Sequence, residues 1–413
     1  MVLGIPLFLI FGVYGVVNAY LPVMLSNLGY SVTEIGVLQG LFEAAGMAFP
    51  ILVNARVDRK GNYVTVITLL SVLMILVLPP LVAFRSFWLT GLLLALLAVG
   101  YKGTVPLVDT MVSRSLGGDA TDYGKVRVLG SIGFVCVTLL LQFTTLVDSS
   151  SAPSIAIAIA VPCALFALSV PLVPRVGALA SRTRAGTRPV SSGEAVVEPV
   201  VGPVVEPVVE PVAKNATASA PAIASPREFL AAFPRSYWAG IAIVFLGFFG
   251  MTPSQRFFSL YVRDYLGLES YAGLWALSAA AEVPFMFLSG RFIRKYGTKN
   301  ILVFSLAVIG ARNLVYAAVP TFGGAVVGQL FHSVCFGLFH PAAVVFIGER
   351  APKRFLALAL TMYTSVSVGI ASVLGNVTGG FIIDRFGYRV LFLAFAAFPL
   401  LGVLALPAFS KRR

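Results

Sequence analysis

Apolar and polar positions alternate along this chain in long blocks, not residue by residue. Twelve apolar runs follow one another, at about residues 3–25, 34–54, 64–84, 87–112, 126–147, 153–173, 237–262, 271–290, 299–319, 322–347, 355–382 and 388–408. A helix of about 20 apolar residues crosses the hydrocarbon core of a bilayer. The two-residue alternation of a strand is absent, and each backbone polar group in lipid needs an internal partner, which a helix supplies. The pattern predicts an all-α polytopic membrane protein with 12 transmembrane helices.

Composition strengthens that reading. Of 413 residues, 58% are hydrophobic and only 11% charged, against roughly 25% charged in a soluble domain. The net charge of +13 would suggest nucleic acid if it lay on one soluble face. Instead the cations sit in short segments between runs: Arg56, Arg59 and Lys60; Arg114, Lys125 and Arg127; Arg291, Arg294, Lys295 and Lys299; Arg350, Lys353 and Arg354; and Lys411 to Arg413. Seven more, Arg175, Arg182, Arg184, Arg188, Lys214, Arg227 and Arg235, lie between the sixth and seventh runs, and the alternate connections hold only Arg85, Arg263, Arg385 and Arg389. Positive loops stay cytoplasmic, so both termini are predicted on that side. The first run has no basic leader and exceeds a signal-peptide core, so it is predicted to be the first span. Cys136, Cys163 and Cys335 lie inside apolar runs without paired spacing, so neither a disulfide framework nor a metal site is predicted.

Between the sixth and seventh runs the composition changes. EPVV-GPVV-EPVV-EPVA, from Glu198 to Ala213, carries a proline in each repeat, which forbids a helix and predicts an extended linker. Predicted boundaries are 1–173 for a first six-helix bundle, 174–235 for the cytoplasmic linker and 236–413 for a second bundle. The halves resemble each other: LGYSVTEIGVLQG precedes the second run and LGLESYAGLWAL the eighth, while NARVDRKGN and SGRFIRKYGTKN end them. Two parallel repeats predict a pseudo-twofold axis along the membrane normal, with substrate bound at midplane.

NARVDRKGN resembles the Gly-x-x-x-Asp-Arg-x-Gly-Arg loop of the major facilitator superfamily. Asp58, Arg59 and Gly61 match it, and Asn54 replaces its first glycine. VPLVDTMV with DYGKVRVLGSIGFV, AEVPFMFLSGR and HSVCFGLFHPAAVVFI resemble the branch holding phenylpropionate permease, with nucleoside:proton and oligosaccharide:proton symporters further off. The resemblance covers all but the linker. It implies a rocker-switch carrier with a cytoplasmic gate, to which Arg56, Asp58, Arg59, Gly61, Asp109, Arg127 and Arg291 are assigned.

Within the spans, polar residues stand out. A charge at the bilayer centre costs about 2.5–3.5 kcal/mol on insertion scales, so it faces a cavity or a partner. Glu282, in LWALSAAAEVPFMFLSG, is the leading candidate for a proton site, and Glu43 lies at a similar depth in the first half. Lys102 and Asp109, seven residues apart, share one helix face; Asp109 is expected to pair with Arg127 or another gate cation, and Lys102 either neutralises an acid or binds an anion. Arg312 cannot shed its charge and needs a carboxylate from protein or ligand. His332 and His340 are candidates for proton relay or ligand binding. Arg256, Asn18 and Gln255 complete the candidate pathway.

No phosphate-binding loop, zinc-protease spacing or large soluble domain is present in the sequence, so no enzyme is predicted. The expectation is proton-coupled uptake of a small organic solute (an aromatic acid, nucleoside or saccharide) across a bacterial inner membrane by a cofactor-free monomer. Its partners would be the substrate, H+ and lipid, without nucleic acid. Alternatives are proton-antiport export of lipophilic compounds, which the proline-free fifth run disfavours, and a transport-dead sensor.

Overall fold

The computed structural model describes residues 2–116, 120–173, 232–352 and 355–409, which are helical with short connections and contain no strand. After a 3-10 turn at Val2–Gly4 come α1 (Ile5–Asn27), α2 (Val32–Lys60), α3 (Tyr63–Ala83), α4 (Phe87–Ser115), α5 (Ala120–Phe143) and α6 (Ala152–Ser169). The second series is α7 (Arg235–Arg256), a turn at Phe258–Leu260 passing into a π-helical stretch at Tyr261–Tyr265, α8 (Tyr271–Tyr296), α9 (Thr298–Ala318), α10 (Phe322–Cys335) and α11 (Phe339–Gly348). It closes with α12 (Leu356–Met362), a π-helical stretch at Tyr363–Ile370 and α13 (Ala371–Phe409). Ten segments among the described residues are long and apolar enough to cross a membrane. The proline-rich linker from residue 174 to 231 lies outside the described residues, as do the cations at 411–413.

Large apolar side chains face outward, among them Trp88 at 80% exposure and Phe143 at 82%. In water such a surface would aggregate, whereas in a bilayer it meets lipid at no cost. Interior packing relies on small residues at helix crossings. A Cβ on Gly133, for example, would run into the backbone of Phe8. Polar connections then reverse the chain sharply. Gly61 and Gly297, which follow α2 and α8, have φ of 69° and 78°, a left-handed conformation that glycine adopts without steric cost at a helix C-terminus. The two sequence repeats thus end their second helices in the same way.

Two apolar runs depart from simple helices. α10 and α11 share the tenth run but are separated at Phe336–Leu338, one turn before Pro341, which has no N–H for the carbonyl of Gly337. Gly387, with φ 79° and ψ 173°, interrupts α13.

The contacts divide the chain into two compact units. The first holds α1, α2 from Leu41 onward, α3 to α6 and Ser270–Ala280; the second holds Ser31–Gly40, α7 and everything described from Ala281 onward. In the first unit α1 packs on α5 and α6, and α3 on α4 and α6. There Gln142 Oε1 accepts a hydrogen bond of 2.9 Å from the Gly273 amide. In the second unit α13 packs on α7 and α9, and Asp384 accepts one of 2.7 Å from the Thr33 amide in the first turn of α2.

Candidate functional site

In the first unit, the buried charges occur as fixed pairs. Glu43 on α2 accepts a 2.5 Å hydrogen bond from Lys102 Nζ on α4, and both side chains are buried. Gly46, three residues beyond Glu43 and on the same face, leaves room for the lysine stem, because a Cβ there would collide with it. Seven residues along α4, Asp109 lies 3.3 Å from Arg127 Nε on α5. The Arg127 guanidinium also sits 4.1 Å from the ring centroid of Phe11, a cation–π contact that helps hold a buried cation. The Tyr123 hydroxyl lies near Asp109 as well. The sequence-based pairing of Asp109 with Arg127 is therefore present, and Lys102 neutralises an acid.

Aromatic rings line the neighbouring face. Tyr14 and Tyr101 stack with centroids 3.8 Å apart, and the Tyr14 hydroxyl donates to the Tyr101 carbonyl at 2.9 Å. The Tyr101 hydroxyl points toward Asn18 Oδ1 at 3.4 Å, a weak contact by its length.

In the second unit, the acid meets a different partner. Glu282 on α8 is fully buried, and its Oε2 lies 3.4 Å from His332 Nε2 on α10. The opposite ring nitrogen, Nδ1, is 3.1 Å from Nη1 of Arg312 on α9. Arg312 also donates through Nη2 to Gln329 Oε1 at 2.7 Å and through Nε to the Tyr316 hydroxyl at 3.2 Å. The direct hydrogen-bond acceptors of this buried guanidinium are thus neutral groups, with Glu282 one imidazole away.

The interruption between α10 and α11 shapes this region. Phe336 stacks on His332 at 5.8 Å and on His340 at 5.4 Å, so the two histidines flank one ring. Gly337 allows the break to approach α8, since a Cβ there would lie 3.2 Å from the Glu282 carbonyl. His340 Nδ1 is 2.7 Å from the hydroxyl of Tyr363, at the start of the second π-helical stretch. Such stretches often mark functional positions in helices.

Other sequence candidates are placed more simply. Gln255 and Arg256 close α7 and are half-buried, while Arg56 and Arg291 are exposed toward the ends of α2 and α8. Asp58 and Arg59 belong to the backbone of α2, but their side chains lie outside the described residues. Tyr316 and Gln329 were not singled out by sequence reasoning, although each was within its reach. Tyr316 is four residues after Arg312, and Gln329 three before His332, spacings that align side chains on one helix face.

Apolar outward faces and buried acid–base pairs within each unit are features of a membrane transporter and not of an enzyme. The chain belongs to the MFS_1 like family, whose model matches residues 1–394. It is 26% identical to the maltose permease of Geobacillus stearothermophilus over 328 residues, 79% of this chain and 73% of the relative. It is 24% identical to the "Probable 3-phenylpropionic acid transporter" of Escherichia coli K12 over 418 residues, 99% of this chain and 96% of the relative. Among solved structures, a mutant of the nucleoside transporter NupG shares the fold, with a TM-score of 0.80 and 17% identity over 99% of both chains.

Proposed function

We propose that this transporter drives uptake of a small organic solute with a proton gradient, and that Glu282 is the proton-binding group. The observation that carries the reading is the placement of Glu282: a fully buried acid, in the middle of an apolar helix, within 3.4 Å of a titratable imidazole. Intramembrane acids of this kind mark proton and substrate routes. Relatives named for maltose and 3-phenylpropionic acid, together with a nucleoside transporter of the same fold, support saccharides, aromatic acids and nucleosides as the solutes to test.

The proposed architecture is twelve spans in two six-helix repeats, with both termini in the cytoplasm of a bacterium and the monomer as the working unit. Two features favour twelve. Gly387 divides the long final helix, which at 39 residues would reach about 58 Å, twice the hydrocarbon thickness. The 29-residue α2 is also long enough to cross, despite its charged end.

Reconstituted protein in liposomes with an alkaline interior should accumulate one of the three solute classes. Glu282→Gln should abolish that accumulation while leaving counterflow exchange of the solute. Undiminished gradient-driven accumulation in Glu282→Gln would show that Glu282 is not the coupling site.

A further inference from the structure

The position of the proton on His332 follows from what surrounds the ring. Arg312 and Glu282 face its two nitrogens, Arg312 Nη1 at 3.1 Å from Nδ1 and Glu282 Oε2 at 3.4 Å from Nε2. A guanidinium has only donors and keeps its proton at any accessible pH. Nδ1 must therefore be the acceptor. A neutral imidazole with a lone pair on Nδ1 carries its single proton on Nε2, toward Glu282.

The guanidinium is also unable to swing away cheaply. Tyr316 takes its Nε–H, Gln329 takes one Nη2–H, and the Cys335 thiol lies alongside. Only 1% of Arg312 is exposed, so water does not replace these bonds. Among the described residues, the charged and polar groups near the imidazole include Glu282 from α8, Arg312 and Tyr316 from α9, and Gln329 and Cys335 from α10 itself, with Phe336 stacked on the ring.

We propose that Arg312 locks His332 as the neutral Nε2–H tautomer, making His332 a positioning residue for Glu282 and not a carrier of the transported proton. This rests on the reading of Glu282 as the proton-binding group. A proton added to His332 would set an Nδ1–H against the Arg312 N–H, donor against donor, with two positive charges in contact. A proton taken from water by the Glu282 carboxylate sets no second positive charge against Arg312 and yields a neutral carboxyl. If it binds Oε2, the new O–H faces the Nε2–H of His332, donor against donor, which weakens the contact between α8 and α10. His340 offers an internal contrast, because its Nδ1 partner is the Tyr363 hydroxyl, which both donates and accepts and so fixes no tautomer.

The chain has only two histidines, which makes the test direct. Full-length protein with 15N-labelled histidine rings is placed in lipid nanodiscs and its ring nitrogens followed by NMR, with His340→Gln used to assign the His332 signals. The expected result is a neutral Nε2–H pattern for His332 that persists as pH falls through the range where a Glu282 carboxyl band, absent in Glu282→Gln, grows in the infrared spectrum. Arg312→Lys should keep that pattern, and Arg312→Met should give mixed tautomers or an imidazolium. A wild-type His332 found as the Nδ1–H tautomer, or as an imidazolium before the Glu282 carboxyl forms, overturns the proposal. The wild-type spectrum suffices even where Arg312→Met does not fold. Coupled uptake surviving in Glu282→Gln beside an intact Nε2–H signal would instead sink the transport reading and leave the tautomer assignment standing.

Discussion

Glu43 and Glu282 occupy matching places, each on the second helix of its sequence repeat and each aimed at a residue on the fourth. Their partners differ in kind. Glu43 meets Lys102 at 2.5 Å, a full positive charge at hydrogen-bond distance. Glu282 meets His332 at 3.4 Å, and the fixed cation, Arg312, stands behind the ring. One scaffold therefore sets an acid against an ammonium in the first unit and an acid against an imidazole in the second. The contrast suggests a division of labour, with the first pair keeping α2 and α4 in register and the second free to respond.

That contrast can be broken most sharply at Lys102. Lys102→Met takes the ammonium away from buried Glu43 and should cost about 3–5 kcal/mol of stability, read by chemical unfolding of the reconstituted protein. Adding Glu43→Gln should recover most of that loss. In the second unit, Glu282→Gln should cost less than about 2 kcal/mol, because a neutral partner of the same shape remains beside the imidazole. Equal losses for Lys102→Met and Glu282→Gln would erase the distinction between the two pairs.

A smaller change tests the space around the first pair. Gly46→Ala should destabilise by about 1–3 kcal/mol, since the added methyl runs into the Lys102 stem and must displace it. The least effect is expected from Tyr363→Phe, which removes the hydroxyl at His340 and should cost about 1 kcal/mol in the same unfolding measurement. A loss well above that would mean that the π-helical stretch depends on the bond for its form.

Much of this was legible in the chain, for identifiable reasons. Hydropathy marked the helices because burial in lipid acts on each segment separately, so α3 and α9 fall within a residue or two of the runs that predict them. Asp109 with Arg127 was legible because those residues lie on neighbouring helices joined by a short connection. Arg56 and Arg291, assigned to the gate by resemblance, are exposed helix-end residues whose gating role is still a proposal. The break at Phe336–Leu338 had a sequence cause in Pro341, but its use, stacking Phe336 between two histidines, depends on how the two helical pieces turn relative to each other.

By itself, the sequence determined a multi-pass helical chain, its internal repeat and the short roll of buried polar residues, because these depend on local composition and period. Which acid meets which base was decided only by tertiary structure. Partners such as Glu282 and His332, or Glu43 and Lys102, are 50 or more residues apart. Their meeting depends on helix rotation and close approach at glycines such as Gly46 and Gly337, and neither is encoded in the hydropathy of any one segment.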